Sequence, residues 1–225
     1  MGIKGIIFDF DGTILDTEVP FFEVWQETYR LYGYELSLAE WAVSLGTSPD
    51  SFDPAGVLQQ KIGKSIDREK ITESTHQKSL KIIQQLPPIP GVTKFLMDAT
   101  SQGLKLAVAS SSDRPWVVGH LKRLQLSDYF SHICTQEDVK LVKPDPALFL
   151  CAASMLALKP SELIVIEDTP HGITAAKTAG MYCIAVPNDL TKHLDIHKAD
   201  MILESLESIS LNDLLDTIHS KDSVL

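Results

Sequence analysis

Two aspartates in the segment Asp9-Phe10-Asp11-Gly12-Thr13 lie where carboxylate chemistry is expected. They follow the apolar run Gly5-Ile6-Ile7-Phe8, which predicts a buried strand that ends in a turn. Side chains two residues apart leave a strand on the same side, so the two carboxylates lie together. Such a pair is costly unless a cation or a reaction requires it. The segment therefore predicts a cation site or a catalytic pair rather than an ordinary acidic turn.

An EF-hand loop does not explain this segment. Its glycine belongs at the sixth loop position, whereas Gly12 is the fourth residue counted from Asp9. The twelfth position, which is usually Glu, is Pro20.

Two further predicted strands also end in polar residues. The run from Leu104 to Ala109 is followed by Ser110, and the run from Leu163 to Ile166 is followed by Glu167 and Asp168. Ligands of open parallel sheets bind beyond the carboxyl ends of the strands, so these groups should share one rim with Asp9 and Asp11. Oxygen ligands at this density suit Mg²⁺, and Lys143 in Val142-Lys143-Pro144-Asp145-Pro146 adds one positive charge before a predicted helix.

The elements that must position these groups alternate in type after residue 88. Short apolar runs predict strands, and they are separated by helices near residues 92–102, 114–125 and 146–157 and after Pro170. Met201-Ile202-Leu203 predicts a last strand at the edge. Continuous apolar strands between helices indicate a parallel sheet that is covered on both faces.

Residues 17–87 have a different character. Phe21, Trp25, Tyr29 and Tyr32 follow helical spacing, and Gly33 is a plausible helix end. The stiff segment Pro87-Pro88-Ile89-Pro90-Gly91 then marks a boundary. We expect a small helical domain at 17–87, inserted into a main domain that is formed by residues 1–16 and 88–225.

Composition limits the partners. Lys and Arg total 20 against 30 Asp and Glu, a formal net charge of −10, which argues against a general nucleic-acid-binding surface. No apolar segment approaches the roughly 20 residues that span a bilayer, and no signal peptide is visible. The three cysteines match no zinc or redox spacing and are expected to be small core residues in a reducing compartment. We expect a cytoplasmic monomer that binds neither membrane nor nucleic acid.

Taken together and in this order, these motifs resemble the haloacid dehalogenase superfamily of phosphohydrolases. Asp9-Phe10-Asp11-Gly12-Thr13 is similar to its first motif, Ser110 to its second, Lys143 to its third and Glu167-Asp168 to its fourth. The resemblance covers essentially the whole chain and is strongest to the branch of β-phosphoglucomutase and of phosphoglycolate-type or sugar-phosphate phosphatases. It implies an α/β fold, with a doubly wound, Rossmann-like parallel sheet and an inserted α-helical cap.

The resemblance implies an Mg²⁺-dependent phosphatase that hydrolyses a small phosphorylated metabolite through an aspartyl-phosphate. Asp9 is then the nucleophile, and Asp11 is the general acid and base. Ser110 donates a hydrogen bond to the phosphoryl group, and Lys143 neutralises its charge.

The metal and substrate residues follow from the same resemblance. The expected Mg²⁺ ligands are Asp9, the backbone carbonyl of Asp11, and Asp168. Glu167 is either a further ligand or, as we favour, an acceptor for a metal-bound water. The residues expected to bind the substrate are Gly12, Ser111, Phe21 and Ser48. Phe21, Phe22 and Trp25 also fit a role in the cap core, which the aromatic pattern favours.

Four other functions are alternatives to a phosphatase. Haloacid dehalogenases and phosphonoacetaldehyde hydrolases lack the second aspartate, so Asp11 disfavours both. A β-phosphoglucomutase is the closer alternative, but its cap histidine and arginine correspond here to Phe21 and Pro49, which makes hydrolysis the better reading. A non-catalytic binding module is disfavoured because the nucleophile, the acid and the metal carboxylate are all present.

Overall fold

A single parallel sheet forms the centre of the main domain. The computed structural model describes residues 2–47 and 51–222 of the 225. Within that range the strands are β1 Gly5–Phe8, β2 Lys105–Ala109, β3 His132–Cys134, β4 Leu163–Glu167, β5 Tyr182–Ala185 and β6 Met201–Ile202. Every pairing is parallel, and the spatial order is β3-β2-β1-β4-β5-β6. β1 therefore lies inside the sheet, hydrogen-bonded to β2 and β4.

The helices before β2 are α1 Glu18–Leu31, α2 Leu38–Trp41, α3 Pro54–Ile62, α4 Arg68–Ile83 and α5 Val92–Ser101. Those after it are α6 Arg114–Arg123, α7 Ala147–Leu156, α8 Pro170–Thr178 and α9 Leu211–Asp222. The helices predicted at 92–102, 114–125, 146–157 and after Pro170 are confirmed, the first three to within two residues at their ends, whereas α9 was not predicted.

Both faces of the sheet are buried. Ile6 and Phe8 of β1 belong to one apolar cluster, which includes residues of α5, α6 and α9. Ile7 points to the other face and belongs to a second cluster, with residues of α7 and α8. This alternation follows from the period-two geometry of a strand. The predicted α/β class with a doubly wound parallel sheet is confirmed.

Helices α1 to α4 share an apolar cluster, to which Leu190 and Leu194 of the segment after β5 also contribute. It includes Phe22, Trp25, Tyr29, Trp41 and Leu58, all of which are buried. Tyr29 is completely buried, and its hydroxyl donates to the carbonyl of Pro54 at 2.7 Å, so α1 is tied to the start of α3. Most of this cluster comes from residues 17–87, which is consistent with the predicted insertion, whose boundaries stay a prediction.

Two cysteines that are distant in sequence meet in the fold. The Sγ atoms of Cys134, at the end of β3, and Cys151, on α7, lie 2.6 Å apart. Burial, and after it the neighbouring Cys151 thiol, raises the pKa of the Cys134 thiol. Cys183 is buried in the sheet, as expected of a small core residue. Sequence spacing alone did not indicate the Cys134–Cys151 contact, because strand and helix bring the residues together only in three dimensions.

Across residues 2–47 and 51–222, no helix combines the length and the apolar character needed to cross a bilayer.

Candidate active site

A buried network joins the ends of β1 and β4. Asp9 directly follows β1, and its backbone N–H donates to the carbonyl of Ile166 in β4 at 2.9 Å. Lys143 donates through Nζ to Asp9 Oδ1 and, at 2.8 Å, to Glu167 Oε1. Lys143 is only 2% exposed, and its Nζ lies 4.9 Å from the centre of the Phe149 ring. The network thus fixes Asp9 at the sheet rim by one main-chain bond and one ion pair.

Three carboxylates converge in this network. Oxygen atoms of Asp9, Glu167 and Asp168 all lie within 4.8 Å of one another, and the three side chains are buried. Burial raises the pKa of Asp9 to about 8, with Glu167 and Asp11 acting in the same direction and Lys143 opposing them. Burial, followed by the charge of Glu167, also raises the pKa of Asp168. One lysine therefore offsets only part of the negative charge, and the cluster has the donor set of a hard divalent cation.

Glu167 and Asp168 differ in their surroundings. Glu167 Oε2 accepts from the backbone N–H groups of Asp168 and Thr169, both at 2.7 Å, while Oε1 accepts from Lys143. Asp168 instead accepts from two side chains, Thr13 Oγ1 at 3.1 Å and Asn188 Nδ2 at 2.9 Å. Both oxygens of Glu167 are thus already bonded to groups that they orient.

Asp11 is held separately by four side-chain donors. Its Oδ1 accepts from Thr17 Oγ1 and from the indole Nε1 of Trp116, both at 2.8 Å. Its Oδ2 accepts from Ser112 Oγ at 2.6 Å and from Ser110 Oγ at 3.3 Å. The donors come from the end of β2, from α6 and from the residue before α1. The Asp11 carboxylate is thereby oriented by both the main domain and the entry to the helical insertion.

Gly12 allows the first motif to turn beneath Asp168. Its φ is +84°, which is the left-handed region, and a Cβ at this position would lie 2.5 Å from Asp168 Oδ2. A side chain here would therefore strain the backbone and displace the carboxylate. The predicted substrate role of Gly12 stays a prediction, whereas its steric role follows from this contact.

A cavity of about 410 Å³ lies between the rim and the helical insertion. Asp11 and Trp116 line it from the main domain, and Phe21, Trp25 and Trp41 line it from the insertion. The ring of Phe21 stacks on that of His76, with centres 5.5 Å apart. Trp25 lines the cavity and also packs in the apolar cluster of helices α1 to α4. The nearby Phe22 packs in the same cluster but does not line the cavity. Trp25 and Phe21 thus pack in the helical cluster, as the aromatic pattern favours, and also line the cavity, so a substrate-binding role for Phe21 stays a prediction.

Glu18 is a cavity residue that the sequence analysis did not identify. It is the first residue of α1 and is partly buried beside Asp11. Burial, and after it the charges of Asp11 and Asp9, raises the pKa of Glu18 to about 8. Nothing in the sequence singles out Glu18, because an acidic residue at the start of a helix is commonly explained by its favourable interaction with the helix dipole.

The loop after α2 contacts the rim through its main chain. Ser111 Oγ donates to the carbonyl of Gly46 at 3.2 Å, and His171 Nδ1 lies 3.0 Å from the carbonyl oxygen of Leu45. Gly46 has φ +73°, and a Cβ there would lie 2.3 Å from Thr169 Oγ1. We call this set of contacts at Leu45 and Gly46 the loop contact. These contacts hold the helical insertion against the main domain.

Replacing Gly46 with Ala is expected to open the loop contact. The methyl group would overlap Thr169, which cannot move freely because its hydroxyl donates to Glu167 Oε2 at 3.0 Å. Gly33→Ala is the matched control, since Gly33 also has positive φ but nothing lies within 4 Å of its added Cβ. Both variants should lose about 1–2 kcal/mol from left-handed strain, and only Gly46→Ala should also lower kcat/KM. Equal activity in the two variants would show that the loop contact has no role in turnover.

The site residues predicted from sequence fall into three groups. Asp9, Lys143, Glu167 and Asp168 form the buried network, and Ser110 contacts Asp11. Phe21 lines the cavity, whereas Ser111 contacts the helical insertion and not the network. Ser48, and also Pro49, lie outside the described residues. Sequence reasoning missed the donors to Asp11 other than Ser110, which are Thr17, Ser112 and Trp116.

Comparisons with known proteins agree on one family. The family model described as haloacid dehalogenase-like hydrolase matches residues 6–186. YhcW of Bacillus subtilis (strain 168), provisionally named as a phosphatase, is 42% identical over 220 residues, which are 98% of this chain and 100% of YhcW. Fructose-1-phosphate phosphatase YqaB of Escherichia coli (strain K12) is 30% identical over 187 residues, 81% of this chain and 95% of YqaB.

The fold has a close counterpart among solved structures. A β-phosphoglucomutase from Clostridium difficile matches 98% of this chain and 99% of its own, with a TM-score of 0.77 and 24% identity. At this identity the match concerns the arrangement of sheet and helices alone.

Proposed function

Since the chain belongs to the haloacid dehalogenase-like hydrolases, we propose that it is a phosphatase that hydrolyses a small phosphomonoester. The observation that carries the proposal is Asp9, fixed by Lys143 at the end of β1 and two residues from Asp11, which lines the cavity. Relatives with phosphatase names support the same reaction class.

The proposed reaction has two displacements. A carboxylate oxygen of Asp9 attacks phosphorus, the bond to the leaving oxygen breaks, and an aspartyl-phosphate forms. Asp11 protonates the departing alkoxide and then accepts a proton from the water that cleaves the aspartyl-phosphate. Lys143 offsets negative charge beside Asp9, and Ser110 donates a hydrogen bond to a phosphoryl oxygen.

The acidic cluster fits Mg²⁺. Three buried carboxylates face one lysine, and burial, followed by the charges of neighbouring groups, raises the pKa of both Asp9 and Asp168. Asp9, Asp168 and the backbone carbonyl of Asp11 would hold the ion, while Glu167 would orient its neighbours. When bound, Mg²⁺ would offset charge on the phosphoryl group during transfer.

We also propose that residues 17–87 form a cap over the main domain of residues 1–16 and 88–225. An apolar cluster formed mostly by these residues and the loop contact support this division. The leaving group of the substrate would then lie in the cavity between cap and main domain.

Asp168→Asn and Glu167→Gln should have different consequences. Asp168→Asn removes a proposed ligand and should raise the Mg²⁺ concentration for half-maximal activity by more than the roughly 10–100-fold typical of residues beside a ligand. Glu167→Gln should chiefly lower the thermal midpoint, because breaking a buried ion pair typically costs about 3–5 kcal/mol. Magnesium titration and calorimetry of both variants test this. A larger loss of Mg²⁺ affinity in Glu167→Gln would mean that the two roles are reversed.

The reaction class itself is tested with 4-nitrophenyl phosphate and sugar phosphates, assayed with Mg²⁺ and with excess chelator. The proposed Mg²⁺-dependent phosphatase would release inorganic phosphate with Mg²⁺ and not with excess chelator. A mutase, the alternative suggested by the resemblance, would convert one sugar-phosphate isomer into another with little phosphate released. A binding module would do neither.

A further inference from the structure

The walls of the cavity are largely aromatic. The five aromatic side chains among its described lining residues are Phe21, Trp25, Trp41, Phe52 and Trp116. Trp41 also contacts Phe22 and Phe52, with ring centres 5.8 and 5.9 Å apart, so the wall is packed from behind. Rings of this kind supply broad apolar faces together with a polar edge. They suit a leaving group that has an apolar face, such as the C–H face of a polyol.

The ionisable groups on the cavity wall are three carboxyl groups and one imidazole. They belong to Asp11, Glu18, Asp113 and His76, and no lysine or arginine lines the cavity among the described residues. Residues 48–50, outside that range, are Ser-Pro-Asp and include no cation either. Lys143 is engaged with Asp9 and Glu167, within the buried network. A second anionic group on the substrate would therefore lose water in this cavity without gaining a counter-charge.

Neutral polar groups of a substrate would find hydrogen-bond partners on the same cavity wall. The hydroxyls of Thr17, Ser44, Thr47, Thr72 and Ser112 line the cavity, beside the carboxylates. Hydroxyl groups of a leaving group can donate to such carboxylate and hydroxyl oxygens. The wall thus combines apolar faces with acceptors for hydroxyl groups.

We propose that the substrate has a single phosphate on a neutral, hydroxylated leaving group, and that the cavity rejects leaving groups with a carboxylate or a second phosphate. This inference rests on the proposed phosphatase function. It narrows the substrate class to monophosphates whose leaving group is neutral. The rejection of anionic leaving groups is assigned to the absence of a cation on the cavity wall.

Matched substrate pairs test the discrimination. The first pair is phenyl phosphate with a para carboxamide or a para carboxylate, which are nearly equal in shape. The second is sorbitol 6-phosphate and 6-phosphogluconate, which differ by a hydroxymethyl group or a carboxylate at the far end. In each pair we expect kcat/KM to be at least about tenfold higher for the neutral member, since juxtaposed like charges are strongly disfavoured. Equal values, or a preference for the anionic member, would overturn the inference.

Two arginine variants test whether the missing cation causes the preference for neutral leaving groups. Thr72 lies on the exposed side of α4 and lines the cavity, so Thr72→Arg places a cation at the wall. Ser74→Arg adds the same charge at an exposed position of the same helix that does not line the cavity. Thr72→Arg should reduce the preference for the neutral member about tenfold, whereas Ser74→Arg should leave it as in the wild type. Unchanged preference in Thr72→Arg, or the same shift in both variants, would reject the missing cation as the cause.

The inference and the proposed function fail in different ways. Turnover of both members of each pair with equal efficiency rejects the inference and leaves the phosphatase function standing. No turnover of any phosphomonoester with Mg²⁺ rejects the phosphatase function and the inference with it.

Discussion

Asp9→Asn should lower kcat by roughly 10⁴-fold or more, because the amide cannot act as a nucleophile toward phosphorus. The fold should be retained, since the amide oxygen can still accept from Lys143 and the loss of one negative charge relieves repulsion with Glu167. Wild-type enzyme quenched in acid during turnover should carry a phosphoryl group that hydroxylamine removes, as expected of an acyl-phosphate. The variant should carry none.

A surface aspartate provides the control for this change. Asp128 is exposed, in the turn Ser127–Tyr129, and Asp128→Asn makes the same chemical substitution away from the network. It should keep wild-type turnover. Appreciable hydrolysis by rigorously purified Asp9→Asn, or a phosphoryl group trapped on it, would assign the nucleophile to another residue.

Asp11→Asn should have an effect that depends on the leaving group. General acid–base catalysis typically contributes roughly 10²–10⁴-fold, so alkyl phosphates, whose alkoxides need a proton, should lose about that much in kcat/KM. 4-Nitrophenyl phosphate, whose leaving group departs without a proton, should lose much less. Plots of log kcat/KM against leaving-group pKa for the wild type and the variant provide the measurement.

Trp116→Phe is the companion variant for Asp11. It keeps a ring on the cavity wall but removes the indole N–H that donates to Asp11 Oδ1 at 2.8 Å. If Asp11 is the acid, this variant should show the same dependence on the leaving group in weaker form. A loss in Asp11→Asn that is equal for good and poor leaving groups would rule out the proton-transfer role.

Part of the rim could be predicted from the sequence, because several rim residues lie just after an apolar run. Asp9 after β1 and Asp168 after β4 were placed by that rule alone, and parallel pairing brings them together. Lys143 lies in a loop with no such neighbour, and only its resemblance to a family motif placed it in the site. Polar residues that follow an apolar run can thus be placed from the sequence when the end of a strand determines where they lie.

The residues that were missed reach the site from other elements. Trp116 lies three residues after the α6 N-cap, Asp113, and donates to Asp11 across 105 positions of sequence. A tryptophan in a helix usually indicates core packing, so no local signal separated its two uses. Glu18 and the Cys134–Cys151 contact were hidden for the same reason, since their surroundings depend on how distant segments pack.

The loop contact has a consequence for how substrate preference can change. Its acceptors on the helical insertion are the main-chain oxygens of Leu45 and Gly46, whereas its partners Ser111 and His171 belong to the main domain. If the insertion is the proposed cap, residues elsewhere on its cavity wall could be exchanged without removing these hydrogen bonds. Docking and substrate choice would then depend on different atoms, so new specificities could be selected by altering the wall while the docking bonds remain.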